Sequence, residues 1–273
     1  MCGVIMNVTN ISLDPNIKHK LGSIHGVQPK WFVDDWIIKK DLCGCEGYVE
    51  TLVSTFFEAA KIALPFVKYE TVFVENVYTG DYLGGGCRCK TYNPYNYVDF
   101  DLRQLINNSK YTLEQVITQT GQARWNMFCD ILPTEILYKL LYIMQLDTII
   151  LNDDRHFMNV RFLQDSNGIC IMAPLFDHGA SLFSDECLYP YKRMGHEYCR
   201  KKWCNRLLDI NYTETLKFFK CNNVAPILLD GFTVYNTINN FYIKDYNTVV
   251  NTRFKAILFT QLNELEGFVW QQG

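Results

Sequence analysis

The stretch L-N-D-D-R-H-F-M-N-V-R-F-L-Q-D-S-N-G-I-C-I-M-A-P-L-F-D-H-G-A-S, residues 151 to 181, decides how the rest of the chain is read. It opens where a long apolar segment ends and gathers Asp153, Asp154, Arg155, His156 and Asn159 into seven positions. Val160 to Leu163 predicts a short strand, Asp165-Ser166-Asn167-Gly168 a tight turn, and Ile169 to Met172 the returning strand. An Asn-Gly pair between two apolar runs is a strong hairpin signal, because both residues tolerate positive φ. Phe176-Asp177-His178-Gly179 lies beyond it. The hairpin is expected to fold back and bring Asp154, Asn159 and Asp177 together at one end.

Oxygen-bearing groups gathered in this way suit phosphoryl transfer. A hydroxyl attacking a nucleotide γ-phosphate needs a carboxylate to orient it or take its proton, and Mg²⁺, a hard ion, needs oxygen ligands. Protein kinases meet both needs with an Asp, an Asn five residues later, and a second Asp beyond a hairpin. Asp154 and Asn159 have that spacing, and Asp177 stands in the corresponding place. D-R-H-x-x-N alone is short enough to arise by chance, and acidic loop residues are usually just solvated. The hairpin and the second Asp at the right remove lift the motif above that background.

Upstream, Gly22 to Lys30 predicts a loop, Trp31 to Val33 a strand, Asp34-Asp35 a turn and Trp36 to Lys40 a second strand. Backbone N–H groups of such a loop can cradle phosphates. Strand alternation places Ile37 and Lys39 on one face and Trp36 and Ile38 on the other, which favours Lys39 over Lys40 as a phosphate contact. Gly47 to Leu64 predicts an amphipathic helix ended by Pro65. Glu50 in its first turn suits the helix dipole, or it pairs with the strand lysine. Thr71 to Tyr78 is β-rich, Gly84-Gly85-Gly86 predicts a hairpin turn or bulge before Cys87 to Tyr92, and Lys90 to Pro94 a hinge between two lobes.

From about Tyr95 the pattern becomes helical. Thr112-Leu113-Glu114-Gln115 fits a capping box for a helix of roughly two to three turns. Pro133 opens a helix through Ile150 that is apolar nearly all round, so it should be central to the second lobe and deliver the loop at Asp154. Tyr189, Tyr191, Lys192, Arg193 and His196 follow in a loop placed to meet a substrate or activation segment. Helices are predicted over Thr213 to Lys220, Pro226 to Tyr242 and Val249 to Trp270, the last with a stripe of Val250, Phe254, Ile257, Leu258, Leu262, Leu265 and Val269 that reads as core.

Composition narrows the classes. The 273 residues are 48% hydrophobic and 15% aromatic, enough for a substantial core. A net charge of −3, from 26 basic and 29 acidic residues, supplies no global positive field, so direct nucleic-acid binding is disfavoured. Met1 to Asn10 lacks a secretory pattern and Ile136 to Leu151 is interrupted by Lys139, Gln145 and Asp147, so a cytoplasmic location without a membrane span is expected. Eleven cysteines then predict free thiols. The pairs Cys43/Cys45 and Cys87/Cys89, and the later group of His196, Cys199 and Cys204, lack the C-x₂-C spacing of common zinc ribbons, so no metal is assigned to cysteine.

Taken in order, His25-Gly-Val-Gln-Pro-Lys30, Trp36-Ile-Ile-Lys39, Glu50, Asn152-Asp-Asp-Arg-His-Phe-Met-Asn159 and Ala173-Pro-Leu-Phe-Asp177 resemble the HipA-like family of serine/threonine kinases. The resemblance covers about residues 22 to 185. It implies an α+β, two-lobed protein-kinase-like fold, with a small β-rich N-lobe over residues 1–92 and a mostly helical C-lobe over 93–273. It also implies ATP and Mg²⁺ as cofactors and a protein Ser or Thr hydroxyl as acceptor, with an antitoxin-like regulator as a candidate partner. His25, Gly26, Val27 and Gln28 would lie over the phosphates, Lys39 would contact them, and Glu50 would pair with Lys39. Asp154 would orient the acceptor, and Asn159 and Asp177 would hold the metal. Members of the family can silence themselves by phosphorylating a Ser in the phosphate loop, for which Ser23 is the nearest counterpart. With about twenty residues before that loop, the chain resembles the shorter members. A small-molecule or lipid-headgroup kinase and a nucleotide-binding pseudokinase are the alternative readings of the same motifs.

Overall fold

The structure is a computed structural model that describes residues 5–6, 8–14, 28–42, 44–93, 97–186, 188–189 and 203–265. Its first lobe is a five-stranded sheet in the order β2-β5-β6-β4-β3, formed by β2 (Thr9–Leu13), β3 (Lys30–Val33), β4 (Trp36–Lys40), β5 (Tyr69–Asn76) and β6 (Tyr82–Lys90). Only β2 runs parallel to its neighbour β5; the other pairings are antiparallel. Helix α1 (Glu46–Ala59) packs across β5 and β6.

The three glycines are where sequence and structure first differ. They lie inside β6 and the reversal falls at residues 77–81, so they are not the turn; the bulge is present beside them, where Val74 pairs with Gly84 and Glu75 with Tyr82 and the register skips Leu83. The reason is close approach. A Cβ on Gly47 of α1 would sit 2.2 Å from the Gly86 carbonyl carbon, and one on Gly86 would sit 2.1 Å from the Lys39 carbonyl oxygen. Helix and strands touch backbone to backbone, which only glycine permits. Helix α1 also stops at Ala59, well before Pro65. Lys61 adopts the left-handed conformation (φ 50°) and the Ile62 N–H returns to the Phe57 carbonyl, which closes the C-terminus before proline is reached.

The second lobe contains α2 (Leu102–Asn107), α3 (Leu113–Ile117), α4 (Gly121–Ile131), α5 (Thr134–Ile150), α6 (Tyr212–Cys221), α7 (Gly231–Asn240) and α8 (Thr248–Glu264). The hairpin predicted after Asp154 is present as β8 (Arg161–Gln164) and β9 (Cys170–Met172). An unforeseen strand, β7 (Val98–Asp101), completes a three-stranded sheet where helix was expected. The capping box at Thr112 and Gln115 is present, but its helix is only five residues long. Helix α7 begins after an Asp230 cap, five residues later than Pro226 predicts. Short strands complete the lobe: β10 (Trp203–Asn205) with β11 (Ile210–Asn211), and β1 (Ile5–Met6) parallel to β12 (Tyr242–Ile243). Of the loop expected to meet a substrate or activation segment, Tyr191 to His196 lie outside the described residues, as do Cys43, Cys199 and the end of the last predicted helix.

Helix α5 is the axis of this lobe. Leu140, Ile143, Met144, Leu146, Ile149 and Ile150 are all buried, and Tyr48, Leu52, Phe56 and Phe57 of α1 join the same core. The two lobes therefore share one continuous apolar mass through α1. Leu151 ends α5 in the left-handed conformation (φ 53°) and turns the chain into the acidic loop.

The start of α1 carries a pH-dependent contact. Asp41 accepts the Gly47 N–H at 2.6 Å, and burial pushes its carboxyl up to about 7, with the Glu46 and Glu50 charges adding to the effect. An unfolded Asp titrates near 3.9, so this group's contribution to stability is complete below about pH 4 and lost as pH rises through about 7. Asp41→Asn keeps an acceptor for Gly47 and removes the titration. The variant should melt about 3 °C or more above wild type at pH 8, with the gap closing towards pH 4, as read by calorimetry across pH.

Candidate active site

β4 alternation turns Lys39 inward, where it is only 5% exposed, and leaves Lys40 half-buried. The Lys39 Nζ donates to Glu50 Oε1 at 2.9 Å and Asp177 Oδ1 at 2.6 Å, with Tyr69 OH at 3.4 Å. Three donors meet three acceptors from α1, β5 and the segment after β9. The second Glu50 oxygen accepts the His178 N–H at 2.8 Å, and the Tyr69 hydroxyl accepts the Asp177 N–H at 3.2 Å. Burial alone would lower the Lys39 ammonium, but Asp177 and Glu50 outweigh it and hold its pKa well above the usual lysine value. Burial likewise opposes ionisation of Asp177, yet Lys39 and Lys30 hold that carboxyl far below the usual range. Lys30 lies directly opposite Lys39 in register, hence on the same face of the sheet. Its pKa is lowered, chiefly by burial.

A second buried cation organises the loops. Arg155, 1% exposed, pairs with Asp147 of α5 through Nε (3.1 Å) and Nη2 (3.3 Å). Its Nη1 donates to the carbonyls of Asn159 (3.2 Å) and Phe176 (2.8 Å), and Nη2 lies 3.0 Å from His178 Nδ1. Because guanidinium only donates, Nδ1 must accept, which places the imidazole proton on Nε2. Burial and the adjacent Arg155 charge hold His178 neutral, with its pKa well below the usual imidazole value. Arg155 thus grips both residues flanking Asp177, which sits at φ 63°. A left-handed non-glycine of this kind is disfavoured by about 1–2 kcal/mol and persists only where its neighbours over-determine it.

Asp154 is exposed, and the Asn159 Nδ2 donates to its main-chain carbonyl at 2.9 Å. That bond leaves the Asn159 amide oxygen as the atom that could face a metal. Desolvation and the charges of Asp177 and Asp153 raise the Asp154 carboxyl pKa, against an opposing pull from His156. Among the described residues there is no group of three or more His, Cys, Asp or Glu that could hold a metal. The Asp177 carboxylate and the Asn159 amide oxygen are the hard oxygen donors that would hold a Mg²⁺ here. Gln28 is half-buried, with its Nε2 enclosed and unbonded among the described residues. His25, Gly26, Val27 and Ser23 lie outside the described residues.

Searched by sequence, the chain matches no family model and no curated protein. Solved structures do match. The crystal structure of a Helicobacter pylori proinflammatory kinase, CtkA, aligns with a TM-score of 0.63 at 15% identity, over 94% of this chain and 95% of that one. The chain has a kinase fold. The α+β, two-lobed architecture expected from the motifs is thereby shown, and the resemblance holds at the level of the fold. The complex of Shewanella oneidensis MR-1 HipA with HipB and operator DNA aligns with a TM-score of 0.49 at 12% identity, over 90% of this chain and 65% of that one. Among the described residues no helix is long and apolar enough to cross a membrane.

Several members of this constellation carried no signal in the sequence. Tyr69 lies just before the strand predicted from Thr71, and Asp147 reads as an interruption in an apolar helix. Lys30 could have been found from register alone, since a two-residue turn between β3 and β4 sets it opposite Lys39. The Arg155–Asp147 pair makes a stability prediction. Arg155→Met strands a buried carboxylate and should destabilise by about 3–5 kcal/mol in urea unfolding. Adding Asp147→Asn should recover roughly 1 kcal/mol or more of that loss, which a double-mutant cycle would measure.

Proposed function

We propose that the chain is an ATP- and Mg²⁺-dependent phosphotransferase that moves the γ-phosphoryl group to a hydroxyl, with a protein Ser or Thr as the preferred acceptor. The observation that carries this reading is the meeting of Lys39 with both Glu50 and Asp177, at 2.9 and 2.6 Å, on a kinase fold with Asp154 and Asn159 on the adjoining loop. Asp177 is kept ionised, as a metal ligand must be, and Asn159 adds a neutral oxygen. A bound Mg²⁺ would neutralise phosphate charge in flight.

The remaining steps belong to the chain's own groups. Lys39 spends its three donors on Glu50, Asp177 and Tyr69, so contact with phosphate requires it to exchange a partner. Asp177 is the partner to release, because a metal would take over that carboxylate's charge. Glu50, held from behind by the His178 N–H, keeps Lys39 aimed while the exchange occurs. Asp154 reaches the acceptor because its side chain is exposed; it orients the hydroxyl and takes its proton. Catalysis of this kind is mostly positioning and charge neutralisation.

The same geometry would serve a small alcohol or inositide, and the fold does not fix the acceptor. Incubation with γ-labelled ATP, Mg²⁺ and either protein extracts or small alcohols decides between them, and label on protein Ser or Thr is the expected result. Asp154→Ala should lower kcat by about 10²–10⁴-fold with the melting temperature unchanged. Transfer at wild-type rate in that variant would remove Asp154 from the reaction. Because Asp154 must be ionised to accept a proton and its pKa is raised, kcat/KM should fall on acidification from a point above the ordinary carboxylate range. A rate that stays level down to pH 4 would contradict the assignment.

A further inference from the structure

The helix that carries Glu50 is enclosed on the side away from the sheet. Tyr48, fully buried in α1, donates through its hydroxyl to the Asn251 side chain at 3.2 Å. Its ring packs against Phe241, Tyr246 and Phe254, with centroids 5.5, 5.1 and 5.6 Å away. Asn251 is itself a knot: its Oδ1 accepts the Ile243 N–H at 2.9 Å, and its Nδ2 donates to the carbonyls of Ile243 and Tyr246 at 3.0 Å each. Two residues on, Arg253 is buried and grips the segment after Asp177. It donates to the Phe183 carbonyl at 3.0 Å and pairs with Glu186 at 3.0 Å.

That segment is held against its own preference. Leu182 and Phe183 are buried, consecutive and left-handed, at φ 52° and 59°. Such strain persists where surrounding contacts over-determine it. The Leu182 N–H bonds the Ile150 carbonyl, Ser184 Oγ bonds the Gly179 carbonyl, and Arg253 holds Phe183. Gly179 in turn backs onto α1, where a Cβ would lie 3.2 Å from Glu46 Cβ and 3.5 Å from Glu50 Cγ. Asp185 bridges Gly44 just before α1 begins.

We propose that Asn251 and Arg253 of α8 are positioning residues: they fix α1 and the segment after Asp177 in place, so the Lys39–Glu50 pair stands assembled in the nucleotide-free protein and needs no inward swing of α1. The consequence for activity rests on the phosphotransfer reading; the placement of α1 does not. A helix that hydrogen-bonds and packs against the opposite lobe has no free direction in which to move. Glu50 is then set by the C-terminal helices as well as by Lys39.

Hydrogen–deuterium exchange on the full chain tests this without requiring turnover. In wild type, the amides of 46–59 should be equally protected with and without Mg²⁺ and ATP. Asn251→Ala should speed exchange in that helix about tenfold or more while α5 stays protected, since a buried hydrogen-bonding knot has been cut. Tyr48→Phe, which lacks one oxygen, should shift the same helix in the same direction by less, and it carries the test if Asn251→Ala does not fold. If transfer is observed, both variants should raise the KM for ATP and recover most of kcat at saturation, because bound nucleotide re-forms the pair. The proposal is overturned by a wild-type α1 that exchanges freely until nucleotide is added, or by loosening in Asn251→Ala confined to 241–251. Failure of wild type to bind ATP or transfer phosphate would remove the proposed function, and the variants' exchange patterns would still decide the placement.

Discussion

One buried ammonium sets the terms for the rest of the molecule. Lys39 has left water almost completely, and a cation so placed is tolerable only if carboxylates come to it. Glu50 and Asp177 do so from elements far apart in the chain: a helix of the first lobe and a segment that follows a hairpin of the second. Every feature that aims those two side chains answers to this requirement. The glycine contact between Gly47 and Gly86 lets α1 approach closely enough, and the His178 N–H supports the far Glu50 oxygen.

Arg155 plays the matching part in the second lobe. It is adjacent in sequence to the exposed Asp154, yet its guanidinium is buried in a network with Asp147, Phe176 and His178. Two consecutive residues of one motif therefore part ways: the aspartate side chain is exposed, and the arginine fixes the backbone on either side of Asp177. Such networks act as units, with couplings beyond the sum of single contacts.

Legibility in the sequence followed physical range. Local signals read well. Strand alternation chose Lys39 over Lys40, the two-residue turn placed β3 against β4, and the Asp-Ser-Asn-Gly turn marked the hairpin of β8 and β9. The Lys39–Glu50 contact was one of two readings of an acid in a first helical turn, and only the helix's approach to the sheet decided between them. What escaped were contacts made at long separation. Tyr69 and Asn251 are plain residues until the fold brings partners to them, 30 and 203 positions away. The glycines of β6 were half legible for the same reason. Read locally they suggest a turn or a bulge; the bulge is there beside Gly84, but the turn is not, because Gly86 serves the close approach of Gly47 from a helix elsewhere in the chain. The strand β7 was missed because its four residues pair with β8, some sixty positions on.

Exchange of Asp177 between lysine and metal is the step on which the proposed phosphotransfer most directly depends. Calorimetric titration of wild type and Asp177→Asn with ATP, each with and without Mg²⁺, isolates it. If Asp177 is the metal ligand and competes for Lys39, wild type should bind ATP more tightly with Mg²⁺ than without it. The variant should lose that metal dependence while binding metal-free ATP at least as well, because its lysine has been released. An unchanged metal dependence in Asp177→Asn, or no ATP binding by wild type at all, would contradict it.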